Sequence, residues 1–196
     1  MFLAFEIIGT IVFAIYGAMA GIQYQMDIFG VVTMGVTTAV GGGIVRDLIL
    51  GKTPPTAFCN PVYVFLAIGI SLFVFLPAIR SRIRENSFWL LLADSIGLGV
   101  FTVNGARMGL ETDNLFLQVF LGTVTGVGGG ILRDLFVARR PTIFVKHFYA
   151  CAAITGALAF VLLYPLGQQL AMLVGMSLVV VLRLCAAKYH WNLPRA

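Results

Sequence analysis

Two short segments place charge inside runs of apolar residues. Residues 41–48 read GGGIVRDL and residues 128–135 read GGGILRDL, 87 positions apart and differing only at Val45 against Leu132. Each carries an arginine and an aspartate, Arg46-Asp47 and Arg133-Asp134, followed by apolar residues, Leu48-Ile49-Leu50 and Leu135-Phe136-Val137. An arginine near the centre of a membrane helix costs roughly 2.5–3.5 kcal/mol on insertion scales, so it turns toward a bundle interior or an aqueous cavity and finds partners. The plainer alternative is an arginine near a helix end that snorkels to the headgroups. Recurrence at the same place in both segments favours a polar pathway. Three successive glycines each lower helix preference by about 1 kcal/mol relative to alanine. Gly41, Gly42 and Gly43, and likewise Gly128, Gly129 and Gly130, are therefore expected to kink or unwind their helices. Carbonyls freed there must be met by protein or water. Together with Thr38 and Thr125 they are candidate ligands for a passing cation. Close helix–helix packing is the competing use of the same glycines.

The matching extends upstream. Residues 13–18, FAIYGA, resemble 101–106, FTVNGA, at an offset of 88, and Glu6 then faces Asp94. Two pairings are open for the arginines. Glu6 with Arg46 and Asp94 with Arg133 would form equivalent ion pairs at the two ends of one path. Otherwise each arginine pairs with the aspartate beside it.

The elements that position these residues are read from the rest of the chain. Of its 196 residues, 60% are hydrophobic and 11% are charged. Soluble domains carry about 25% charged residues, so this chain is an integral membrane protein. A helix needs about 20 mostly apolar residues to cross a bilayer. Seven stretches qualify: Phe5–Tyr24, Phe29–Leu50, Pro61–Ile79, Phe88–Met108, Leu115–Val137, Ile143–Pro165 and Leu170–Ala187. The expected fold is all-α with seven transmembrane helices. Residues 1–87 form a first three-helix repeat, 88–166 a second, and 167–196 a seventh helix with a short tail. Because three is odd, the second unit enters the membrane from the opposite side, giving an inverted 3+3 repeat plus one helix, an architecture found mostly in transport proteins.

Seven spans put the termini on opposite sides. The loops on the amino-terminal side hold Arg46, Lys52 and Arg107. The other side holds Arg80, Arg82, Arg84, Arg133, Arg139, Arg140, Lys146, Arg183, Lys188 and Arg195. Three against ten makes that second side cytoplasmic, with the amino terminus outside. The net charge of +5 is read as facing anionic lipid rather than nucleic acid, because the basic residues sit between apolar runs. MFLAFE carries no basic region ahead of the apolar run, which argues against a cleaved signal peptide. Cys59, Cys151 and Cys185 are scattered, and His147 and His190 lack metal-ligand spacing, so no metal site and no cofactor are expected. No HExxH, GxSxG or phosphate-loop motif is present, so an enzyme is not expected.

The doubled GGGxxRD element in a three-plus-three-plus-one plan resembles the prokaryotic branch of the TRIC family, the trimeric intracellular cation channels. The likeness extends over residues 2–190. It implies a homotrimer in the prokaryotic inner membrane, each subunit holding its own pore. The second and fifth spans would line that pore and bend at the glycines. The conducted ions would be monovalent cations, K+ foremost and Na+ as a candidate. Animal members carry a Lys-Glu-Val motif tied to phosphoinositides. This chain has none, so lipid gating is not carried over. Related bacterial sequences bear a glycine-transporter label, which keeps a secondary transporter for a small solute such as glycine as the alternative. An arginine near a pore repels cations unless paired, and Asp47 and Asp134 are the nearest neutralising groups.

Overall fold

The computed structural model describes residues 2–80, 88–144 and 148–191, and is helical throughout its regular elements. Among the described residues nine α-helices follow one another: α1 (Phe2–Gln23), α2 (Ile28–Ile49), α3 (Thr56–Cys59), α4 (Val62–Phe75), α5 (Pro77–Arg80), α6 (Phe88–Gly109), α7 (Leu115–Phe136), α8 (Tyr149–Leu163) and α9 (Gln168–Lys188). Short 3-10 turns cover Thr142–Phe144 and Tyr164–Leu166. Six helices among the described residues are long and apolar enough to cross a membrane, and Val62–Phe75 is a shorter apolar helix beside them. Large apolar side chains such as Phe29, Phe65, Phe116 and Leu162 point outward, the arrangement lipid tails require. Arg82, Arg84, Lys146, His147 and Arg195 lie outside the described residues.

Five of the seven expected spans agree with the helices to within a few residues. The other two are shortened. Pro61–Ile79 is broken at Leu76, whose φ of −59° and ψ of 131° are extended. Pro77 explains this, because its ring clashes with a helical residue before it. The sixth span starts at Tyr149 rather than Ile143, after a left-handed residue, Phe148, with φ 50°.

Matching caps start the two helices that carry the charged motif. The Asp27 carboxylate accepts from the Gly30 N–H (2.7 Å) at the head of α2, and the Asn114 amide oxygen accepts from the Leu117 N–H (3.1 Å) at the head of α7. Each satisfies one of the orphan donors of a helix N-terminus.

The α2 and α7 backbones touch at the centre of the bundle. A methyl group on Gly42 would overlap the Thr125 carbonyl oxygen, and one on Gly129 would overlap the Thr38 carbonyl oxygen. This reciprocal contact uses the absence of Cβ, as small residues do between helices in lipid. Of the expected kinking or unwinding, it corrects the unwinding: α2 and α7 stay helical through both triads. Close packing against the partner helix offsets the glycine cost. Gly17 of α1 meets Thr38 in the same manner, and Gly105 of α6 meets Thr125.

Candidate functional site

Arg46 and Asp47 close the last turn of α2. The Arg46 guanidinium binds its neighbour's carboxylate through Nε (2.8 Å) and Nη2 (2.7 Å), and the other carboxylate oxygen accepts from the Thr56 N–H (2.8 Å). Arg46 is 6% exposed and Asp47 is 1% exposed. Arg133 and Asp134 repeat the arrangement in α7, with Nε at 2.9 Å and Nη2 at 2.8 Å, and the Thr142 N–H donating to Asp134 Oδ2 at 2.7 Å. They are 3% and 1% exposed. Neither arginine snorkels. Both are buried and paired, as a desolvated charge requires.

The two centres then diverge. Asp134 also accepts the Thr142 hydroxyl (2.9 Å) and two N–H groups of Arg139, Nε at 2.9 Å and Nη2 at 2.6 Å. Arg133 lies over the ring of Tyr16, 4.4 Å from its centroid, close enough for a cation–π contact. A second charge pair stands nearby. Arg183 of α9 donates from Nη2 to Asp94 Oδ2 of α6 (2.9 Å), and the Tyr149 hydroxyl of α8 donates to Asp94 Oδ1 (3.0 Å). The Arg183 guanidinium also covers the Tyr149 ring at 4.2 Å. On the other side, Lys52 occupies the place that Arg139 holds in the repeat. It bonds the exposed Glu111 at 2.9 Å instead of reaching back to Asp47.

The cross-pairing Glu6–Arg46 and Asp94–Arg133 does not form. Glu6 accepts from the Tyr63 hydroxyl, and Asp94 is taken by Arg183 and Tyr149. Each motif arginine has a carboxylate one residue away, so the adjacent aspartate captures it first.

A cavity of about 880 Å³ is lined by Tyr16, Asp94, Gly130, Arg133, Asp134, Arg139, Tyr149 and Arg183 among others. It runs to the end of the bundle where α1, α7 and α9 finish and α6 and α8 begin. Of the residues singled out from sequence, it gathers Asp94, Gly130, Arg133 and Asp134. Arg46, Asp47 and Glu6 sit at the opposite end, and Thr38 and Thr125 at the central crossing. The two threonine hydroxyls donate to carbonyls one turn back, Met34 O (2.7 Å) and Leu121 O (2.6 Å), and are buried. Their carbonyls face the glycines of the opposing helix. In this conformation none of these oxygens is turned toward the cavity.

Four residues of the cavity network, Tyr16, Arg139, Tyr149 and Arg183, were not singled out as site residues. Two had a readable signal. Arg183 interrupts an apolar span, and Tyr149 follows Asp94 at nearly the spacing by which Tyr63 follows Glu6. Among the described residues no group of three or more His, Cys, Asp or Glu side chains suits a metal ion.

Comparison with known proteins gives consistent matches. The family model described as glycine transporter matches residues 3–78 and 91–165. The UPF0126 inner membrane protein YadS of Escherichia coli is 34% identical over 193 residues, covering 96% of this chain and 93% of that protein. A structure reported for conductance through TRIC cation channels superimposes with a TM-score of 0.91 at 37% identity, covering 100% of this chain and 97% of the other. The TRIC orthologue of Rhodobacter sphaeroides gives 0.88 at 34% identity, covering 97% and 98%. These relatives are membrane proteins and channels, not enzymes.

Proposed function

This chain belongs to the prokaryotic TRIC family, to which the description glycine transporter is also attached, and from that premise we propose that it is a monovalent-cation channel of the inner membrane, conducting K+. The observation that carries the reading is the charged cavity. It penetrates the bundle from one end and reaches Gly130 of α7, beside the point where α2 and α7 cross. A channel needs a wet path through the membrane, and in this reading the crossing is where that path is closed. In this reading α2 and α7 line the path, residues 88–166 are an inverted copy of residues 1–87, and opening requires α2 and α7 to part or bend at their glycine triads. The matched helix caps, matched Arg–Asp pairs and reciprocal glycine contact support the repeat.

The assembly is a homotrimer with one path per subunit, as the family name implies. The cavity end, rich in arginine and lysine, faces the cytoplasm, where basic residues concentrate. The carboxyl terminus is then inside.

Reconstitution into planar bilayers with K+ as the sole permeant cation tests the function. Discrete unitary currents are expected. Saturable uptake of a small solute without unitary currents would instead support a transporter. One observation favours that second reading: the cavity reaches one end only, with the crossing closed behind it, as in a single state of an alternating-access cycle.

A further inference from the structure

We propose that Asp94 and Tyr149 form a cation site inside the cavity, and that Arg183 of α9 occupies it as a tethered counter-ion that competes with the permeant ion. This inference rests on the channel reading of the cavity and assigns one of its internal sites.

Asp94 and Tyr149 offer what a cation needs in a partly dehydrated place. The carboxylate supplies charge, with one oxygen held by the Tyr149 hydroxyl at 3.0 Å. The tyrosine ring supplies a π face, on which a guanidinium already sits at 4.2 Å. All three groups line the cavity, and Arg183 is 3% exposed. The corresponding acid of the other half makes the comparison. Glu6 is likewise bonded by a tyrosine hydroxyl, from Tyr63. Among the described residues it has no ion pair. The acid and its tyrosine thus occur in both halves, while the arginine is supplied by α9 alone, the helix left over from the repeat.

A buried ion pair is weak evidence of stabilisation. Replacing such a pair by apolar residues is often neutral or favourable, whereas removing one partner exposes the other charge. An arginine retained on a carboxylate that lines a water-accessible cavity therefore calls for a use beyond holding helices together. With Arg183 in place, both cavity carboxylates are saturated by protein guanidinium groups, Asp94 by Arg183 and Asp134 by Arg133 and Arg139. Among the described lining residues, an entering cation meets no carboxylate that lacks a guanidinium partner. Withdrawal of Arg183 by movement of α9 against α6 restores one.

The test is chemical rescue. R183A vacates the site, and free guanidinium ion at millimolar concentration is the probe. In purified R183A, guanidinium should raise the thermal unfolding midpoint and block K+ current from the cavity side at a concentration about tenfold lower than in the parent. Without the probe, unitary K+ conductance should exceed the parent's. Both guanidinium effects should vanish in R183A/D94N, which has lost the carboxylate. An R183A protein that ignores guanidinium, or a double variant that responds like R183A, would overturn the proposal. If R183A does not assemble, R183Q carries the same test. If neither assembles, the pair is a structural tie and the proposal falls. A parent without unitary current would sink the channel reading, while the thermal arm still reports on the site.

Discussion

The Arg46–Asp47 and Arg133–Asp134 centres use the same residues in the same order, and it is the second that lines the 880 Å³ cavity. Backbone and first contacts are alike: the guanidinium on its neighbour, and the far carboxylate oxygen on a threonine N–H. The difference lies six residues downstream. Arg139 returns its planar fork to Asp134 through two N–H groups, while Lys52, at the matching place, leaves for Glu111. A guanidinium can clamp a carboxylate with two directed bonds, and an ammonium acts as a point charge. Tyr16 then faces Arg133 on one side of the cavity, and α9 adds Arg183 on the other. The repeat builds two similar charge pairs, and their differing neighbours make one of them a vestibule.

The largest expected contrast is at the aspartates. D134A strands two buried or half-buried guanidinium groups and two threonine donors, and should destabilise the protein by about 3–5 kcal/mol. D47A strands one arginine and one N–H, and should cost less by at least ~1 kcal/mol. Equal losses in denaturation of the detergent-solubilised protein would remove the asymmetry between the centres. Next come the arginines. R133A lines the cavity and should change unitary conductance or open probability. R46A, at the opposite end, should change it less, with assembly measured alongside. Comparable currents from both variants would place the two mouths on an equal footing.

The glycine contact sharpens the comparison from its symmetric side. G42A and G129A each drive a methyl group into a carbonyl oxygen of the partner helix, at about 1–3 kcal/mol. The two costs should agree closely, because the contact is reciprocal. A large inequality would mean that one helix yields more readily. The smallest effect belongs to K52A. Lys52 and Glu111 are both substantially exposed, so their pair contributes about 0–1 kcal/mol. R139A removes a bond to a buried carboxylate and should cost visibly more in the same assay.

Much of this arrangement was legible in the residues. The apolar runs located the helices, and the doubled motif located both buried arginines. Of the kinked or unwound triads expected, unwinding does not occur, for a specific reason: glycine propensity describes an isolated helix, and here the opposing carbonyls fill the space a Cβ would take. The sequence leaves the pairing open because Glu6 and Asp94 match each other, and only the packed helices bring Tyr63 and Arg183 onto them. Arg183 reads in the sequence as one of the cytoplasmic-side basic residues. It lies outside the repeat, so comparing one half with the other could not pick it out. The shortened third span was written in Pro77, whose effect on Leu76 is local chemistry.

The triads have one further mechanical property. Only the middle glycine of each is pressed against an opposing carbonyl. Beside Gly43 and Gly130, the nearest atom a Cβ would meet is a motif arginine nitrogen, at 3.8 and 3.9 Å. The third glycines are thus spare surface. Successive residues of a helix are about 100° apart around its axis. If α2 turns by one residue, Gly41 or Gly43 arrives where Gly42 sits, and no side chain is driven into the Thr125 carbonyl. The same holds for α7. At the crossing itself the triad leaves a bare backbone for one residue step of rotation either way, two steps in all, with the adjoining arginine carried round like a key on a shaft.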